Sequence, residues 1–121
     1  MTIQQLTKAW DNLDLETFQV GPSWVGASRA VAMVGNVQIL IDTRLPSSWL
    51  EKSSEYYWCW FEFPKKKALE IATQYKTAEA VESHYPSDNY DEYFLEFTDK
   101  NEYLEYLIKY HQEELCKPTA N

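Results

Sequence analysis

Along this chain the spacing of hydrophobic and polar positions changes several times, and each change marks an element. Near the N-terminus Ile3, Leu6, Trp10 and Leu13 recur at helical spacing and form one apolar stripe. Thr2, followed three positions later by Gln5, makes a capping box that opens this helix. Gly21-Pro22 ends whatever follows it.

The period then drops to two. Ser28–Val34 and Val37–Arg44 flank Gly35-Asn36, a two-residue turn whose members both tolerate positive φ, so a hairpin is expected. In its second strand Val37, Ile39 and Ile41 point to one face, opposite Gln38, Leu40 and Asp42. Leu45-Pro46-Ser47-Ser48 stops that strand and caps a single helical turn through Leu50.

Tyr56–Phe63 is the strongest strand signal, because aromatic residues favour a pleated surface. Both of its faces are apolar, which places it centrally in a sheet covered at least in part on both sides. Residues 65–85 fit two periods. Ala68, Ile71, Ala72, Tyr75 and Ala78 make a helical stripe, while Leu69, Ile71, Thr73 and Tyr75 alternate. The expectation is helix over 66–85 with a break near Thr77, which is placed to cap a second helical piece.

Pro86-Ser87-Asp88-Asn89 is a turn cluster, and Tyr93–Phe97 alternates as a short strand. Asp99 with Glu102 caps a C-terminal helix whose core stripe is Leu104, Leu107, Ile108, His111 and Leu115; Pro118 lies beyond its end. The sum is a single α+β domain, a mostly antiparallel sheet of about four strands packed with N-terminal, middle and C-terminal helices.

Composition adds one unusual fact: aromatic residues make up 16% of 121 positions. So many rings argue for a packed core over disorder. Charge adds another. Residues 1–78 carry eight acidic and eight basic side chains, whereas residues 79–121 carry eleven acidic and three basic ones. The net charge of −8 therefore belongs to the second stretch. That balance opposes direct nucleic-acid binding, which needs Lys and Arg to displace counterions. The two arginines, Arg29 and Arg44, make no basic patch, and Lys65-Lys66-Lys67 after Pro64 reads as a solvated turn or helix start. No apolar run spans a membrane. The N-terminus has only Lys8 and no apolar h-region, so no signal peptide is expected. Cys59 and Cys116 lack metal or disulfide spacing, and a reduced, cytoplasmic setting is expected.

The acidic stretch is also rich in tyrosine. On the last helix Tyr103, Tyr106 and Tyr110 form a second apolar line beside the leucine stripe. One reading packs them on the flank of the core with wet hydroxyls. The other presents them, with Asp91, Glu92, Glu102, Glu105 and Glu113, as a docking face. Tyrosine brings large rigid area at low entropic cost, and surrounding carboxylates steer a basic partner. A stripe that wide needs cover from two sides if it belongs to the core.

Other candidate chemistry is thin. Asp88, Asp91 and Glu92 do not match a calcium loop, and no glycine follows to make its turn. His111 lies on the core stripe; His84 ends a helical segment, where a cation suits the dipole. Cys59 between Trp58 and Trp60 reads as a small buried hydrophobe. Phosphate-loop, nucleophile-elbow and zinc-protease motifs are missing, so no cofactor and no metal are expected.

These features point to a small acidic binding protein without catalytic activity. It would be an inhibitor, immunity protein or nucleic-acid mimic that occupies a basic site on a nuclease or other nucleic-acid-binding protein. A homodimer through the tyrosine face is an alternative partner. Two other readings stay open: a small-ligand module lined by tryptophans, with a sizeable pocket at Trp24, Trp49 or Trp58 as its mark, and a small hydrolase using a carboxylate pair.

Overall fold

The computed structural model describes residues 1–20, 27–44, 54–83 and 92–117. Its elements are α1 (Ile3–Asp11), β1 (Glu16–Val20), β2 (Ala27–Val34), β3 (Val37–Arg44), β4 (Ser54–Trp58), α2 (Lys65–Ala72), β5 (Glu79–Glu82), β6 (Tyr93–Phe97) and α3 (Lys100–Leu115). The strands form one antiparallel sheet in the order β1-β2-β3-β4-β6-β5, and the architecture is α+β. No described helix is long and apolar enough to cross a membrane.

Local chemistry accounts for most boundaries. The Thr2 hydroxyl accepts from the Gln5 N–H while the Gln5 side chain accepts from the Thr2 N–H, closing the capping box of α1. The Asp99 carboxylate accepts from the Glu102 N–H at 2.9 Å and opens α3. Of the hairpin turn residues, only Gly35 takes a positive φ, +58°. The turn also packs on the end of α3: the Asn36 N–H donates to the Glu114 carbonyl at 2.8 Å, and a Cβ at Gly35 would lie 2.1 Å from the Leu115 carbonyl oxygen. One of the free carbonyls at the helix end is thus satisfied by a loop 78 residues away in sequence.

The described residues form six strands where about four were expected. The two extra ones, β1 and β5, are the sheet edges. Their burial is slight, with every residue of β1 exposed except the partly covered Val20. A strand that buries neither face carries no period-two signal. The expected long helix over 66–85 is corrected accordingly. α2 ends at Ala72, and Glu79–Glu82 pairs with β6. Thr77 caps no second helix; its N–H and hydroxyl bond to the Glu102 carboxylate at 2.9 and 3.3 Å, and the hydroxyl accepts from the Asp99 N–H. Pairing with a neighbouring strand has overridden local helix propensity.

The expected strand Tyr56–Phe63 is also shorter. It leaves the ladder after Trp58 and touches it again only at a Phe63–Tyr93 bridge. Between Trp58 and Phe63 the chain takes five steps while β6 takes three, from Glu96 to Tyr93. The excess residues form an excursion at Cys59–Glu62, as bulges do next to re-aimed side chains.

The three described helices pack on one face of the sheet. The core there joins Val37, Ile39, Tyr57, Cys59, Leu95 and Phe97 to Leu6, Ala68, Ile71 and the buried face of α3. The alternation expected for β3 is observed: Val37 and Ile39 are in this core, and Leu40 and Asp42 are on the other side. That second face holds its own cluster of Leu40, Trp58 and Phe94, flanked by Val31 and Val81, with no helical residue in it. β4 therefore buries Tyr57 on one face and Trp58 on the other, as its doubly apolar sequence requires. The expected helical turn at 45–50, the turn at 86–89 and Gly21-Pro22 lie outside the described residues.

Candidate functional site

The tyrosine line does not form a docking face. Tyr103 and Tyr106 are fully buried. Cover comes from two sides: Trp10 of α1 and Tyr57 close on Tyr103, while Tyr75, after α2, and Phe97 close on Tyr106. Their hydroxyls are not wet either. Tyr103 donates to the Trp58 carbonyl at 2.7 Å, and the Tyr106 hydroxyl lies 2.7 Å from His111 Nε2. Burial, with Cys59 beside both rings, holds both phenols well above their usual pKa. Tyr110 alone is half-buried, and its hydroxyl accepts from the Gln74 side chain at 2.6 Å.

The expected acidic partners of that line are scattered. Glu105 and Glu113 are exposed on α3, Glu102 is engaged with Thr77, and Glu92 sits just before β6. Asp91 lies outside the described residues, as do Asp88, His84, Tyr85, Tyr90, Trp24 and Trp49. Glu92 lies against Glu62, whose carboxyl is raised first by burial and then by the Glu92 side chain, with Ser83 opposing. Among the described residues no group of three or more His, Cys, Asp or Glu side chains is placed to hold a metal ion.

The buried polar groups of the core form a chain. His111 stacks on Phe61 with ring centroids 4.2 Å apart, and burial lowers its pKa from 6.5 to about 4. Its φ of −131° and ψ of 24° interrupt α3 at that point. Cys59 is almost wholly buried and its thiol is pushed up to about 11, chiefly by burial. Neither group is placed for chemistry: one is held neutral and the other protonated, both away from solvent.

A cavity lies on the opposite face. A pocket of about 440 Å³ is lined by Arg29, Asp42, Arg44, Trp58, Trp60, Val81, Ser83, Phe94 and Glu96. Strand register builds it. Arg29 is opposite Asp42, Leu40 is opposite Trp58, Trp58 is opposite Glu96, and Val81 is opposite Phe94, so neighbouring rows on one face gather side chains from five strands. The Cys59–Glu62 excursion adds Trp60, which is 54% exposed and stands edge-on to Trp58 with centroids 4.5 Å apart. Trp58 and Phe94 pack at 4.8 Å.

Two guanidinium–carboxylate forks border these rings. Arg29 Nε donates to Asp42 Oδ1 at 2.7 Å and its Nη2 to Oδ2 at 3.2 Å. Arg44 donates to Glu96 through both terminal nitrogens, at 2.9 and 2.6 Å, and lies 3.5 Å from Asp42 Oδ2. Both carboxylates are buried, while the Arg44 side chain is 43% exposed. The Glu96 hydrogen bond, against the opposing effect of burial, raises the Arg44 pKa further. Each guanidinium also covers a ring: Arg29 lies 5.0 Å from the Trp58 centroid and Arg44 4.0 Å from that of Tyr56. Trp58 Nε1 is closed to solvent and has no hydrogen-bond partner among the described residues.

Trp58 was anticipated as a pocket residue; the two arginines and their acids were not. The signal was present in β3 and β6, where Leu40-Ile41-Asp42 and Phe94-Leu95-Glu96 set a carboxylate two positions from an apolar residue on the same face. Comparison with family models, with curated proteins and with solved structures gives no match to this chain.

Proposed function

We propose that this chain is a small-ligand-binding module whose site is the cavity on the face of its sheet that no described helix covers. The observation that carries the reading is the 440 Å³ cavity lined by Trp58, Trp60 and Phe94 and bordered by two charge-paired forks. Ligand sites have this make-up: mostly apolar walls, a few converging polar groups and a volume of about 300–1,000 Å³. Binding is favoured over hydrolysis here. Asp42 and Glu96 each spend their oxygens on a guanidinium, which a general base or nucleophile would need free.

The test is a small-molecule panel screened by ligand-observed NMR against the wild-type chain and Trp60→Ala. Trp60 is half exposed, so its loss leaves the fold intact while removing one wall. Hits that weaken in the variant support the module; hits indifferent to Trp60 refute it.

A second reading rests on the exposed carboxylates Glu79, Glu82, Glu105 and Glu113. They leave an acidic surface on which a basic protein, such as a nuclease, would dock by charge without the buried tyrosines. Its mark is an association rate that falls steeply with salt. An association rate indifferent to salt removes it.

A further inference from the structure

We infer that the cavity selects an uncharged, flat ligand that carries a hydrogen-bond acceptor at its edge. This rests on the ligand-binding reading above and adds the chemical class.

The charge balance disfavours ions. Two guanidiniums and two carboxylates line the cavity, and each is already held by a counter-ion in a fork of two hydrogen bonds. An anionic ligand at Arg44 would lie beside the buried Glu96 and Asp42 carboxylates, which already neutralise the guanidinium. A cationic ligand would sit beside two guanidiniums and compete with them for the same carboxylate oxygens. A neutral ligand disturbs neither fork.

The balance of donors and acceptors is not even. The carboxylate oxygens of Asp42 and Glu96 are all engaged with guanidinium N–H groups. Among the described residues the Trp58 indole N–H has no hydrogen-bond partner, although Trp58 lines the cavity and is only 4% exposed. A buried donor without a partner is unfavourable, and an acceptor that reaches it recovers the loss. The cavity therefore asks for an acceptor. Because Trp58 Nε1 is closed to solvent, an acceptor would reach it only with a turn of Trp60, the half-exposed ring edge-on to Trp58. Aromatic surface on Trp58, Trp60 and Phe94 favours a flat body over a branched one.

A matched series tests this: benzamide, benzoate, benzamidinium and ethylbenzene, titrated into the full chain labelled with nitrogen-15. The five tryptophans give five indole N–H signals; Trp58→Phe and Trp60→Phe assign two of them, with through-bond assignment if either variant misfolds. The expected result is a downfield shift of the Trp58 indole signal with benzamide, at a Kd roughly 10-fold below those of the other three. Equal or tighter binding of benzoate, benzamidinium or ethylbenzene at the same signals overturns the selectivity and leaves the ligand module standing. Silence of both Trp58 and Trp60 signals towards all four overturns both.

Discussion

His111 makes the stability of this protein depend on pH in a range where few other groups would. Its imidazole is buried between Phe61, Phe63 and Tyr106, and its pKa falls from 6.5 to about 4 because burial disfavours the cation. The folded pKa lies below the unfolded one. The unfolded chain therefore binds the proton more readily, and stability is fully present above pH 6.5 and drains away as pH falls towards 4. Between pH 7 and pH 4.5 this one group removes about 2 kcal/mol. Carboxylates begin to titrate at the lower end, so the measurement is a difference. Urea unfolding of the wild type and of His111→Gln is followed from pH 7 to pH 4.5. The variant is less stable at pH 7, since it loses the stack on Phe61 and the contact with the Tyr106 hydroxyl. Its decline with falling pH is nevertheless shallower by about 2 kcal/mol. Parallel curves for the two proteins would refute the reasoning, because they would mean that His111 takes up its proton without unfolding.

Other perturbations give equally definite outcomes. Gly35→Ala forces a side chain into positive φ and against the Leu115 carbonyl, and should cost about 2 kcal/mol or more in denaturant unfolding. Tyr106→Phe removes the hydroxyl facing His111 Nε2 and should cost about 1–2 kcal/mol by the same assay, a loss that an exposed docking tyrosine would not show. Arg44→Ala strands the buried Glu96 carboxylate; with the arginine itself nearly half exposed, the loss is about 2 kcal/mol, and Glu96→Gln in the same background should restore part of it. Thiol titration at pH 8 should count one fast-reacting cysteine, Cys116, in the native protein and two after denaturation, because the Cys59 thiol is buried and raised to about 11.

How far the chain could be read in advance depended on whether an element buries a face. β2, β3 and β6 emerged close to their observed bounds because Val37, Ile39, Leu95 and Phe97 alternate with residues of the other side. β1 and β5 bury little, so pairing alone holds them, and pairing leaves no mark on composition. The tyrosine line was found, but periodicity cannot tell a stripe covered by α1 and Tyr75 from one left open. The cavity was half legible: Trp58 stood out by its ring, whereas Arg29, Asp42, Arg44 and Glu96 are brought together only by the register of β2, β3, β4 and β6. Isolated arginines in an acidic chain gave no hint that each would meet its own carboxylate.

The excursion after Trp58 also leaves a seam in the sheet. β4 and β6 share only the Tyr57–Phe97 and Trp58–Glu96 positions before the chain departs, with the Phe63–Tyr93 bridge beyond. β2 and β3, by contrast, pair along seven consecutive positions. Backbone hydrogen bonds are thus sparse across the middle of the molecule, and the Arg44–Glu96 fork, the Trp58–Phe94 contact and the cavity itself all straddle that line. In energetic terms few backbone hydrogen bonds couple the β1–β4 meander to the β5–β6 pair, and side chains at the cavity join the helix-side core as the stitches between them. A molecule seated there would be one more stitch. Its binding would register in amide exchange as slower opening of β5 and β6, well beyond the residues it touches.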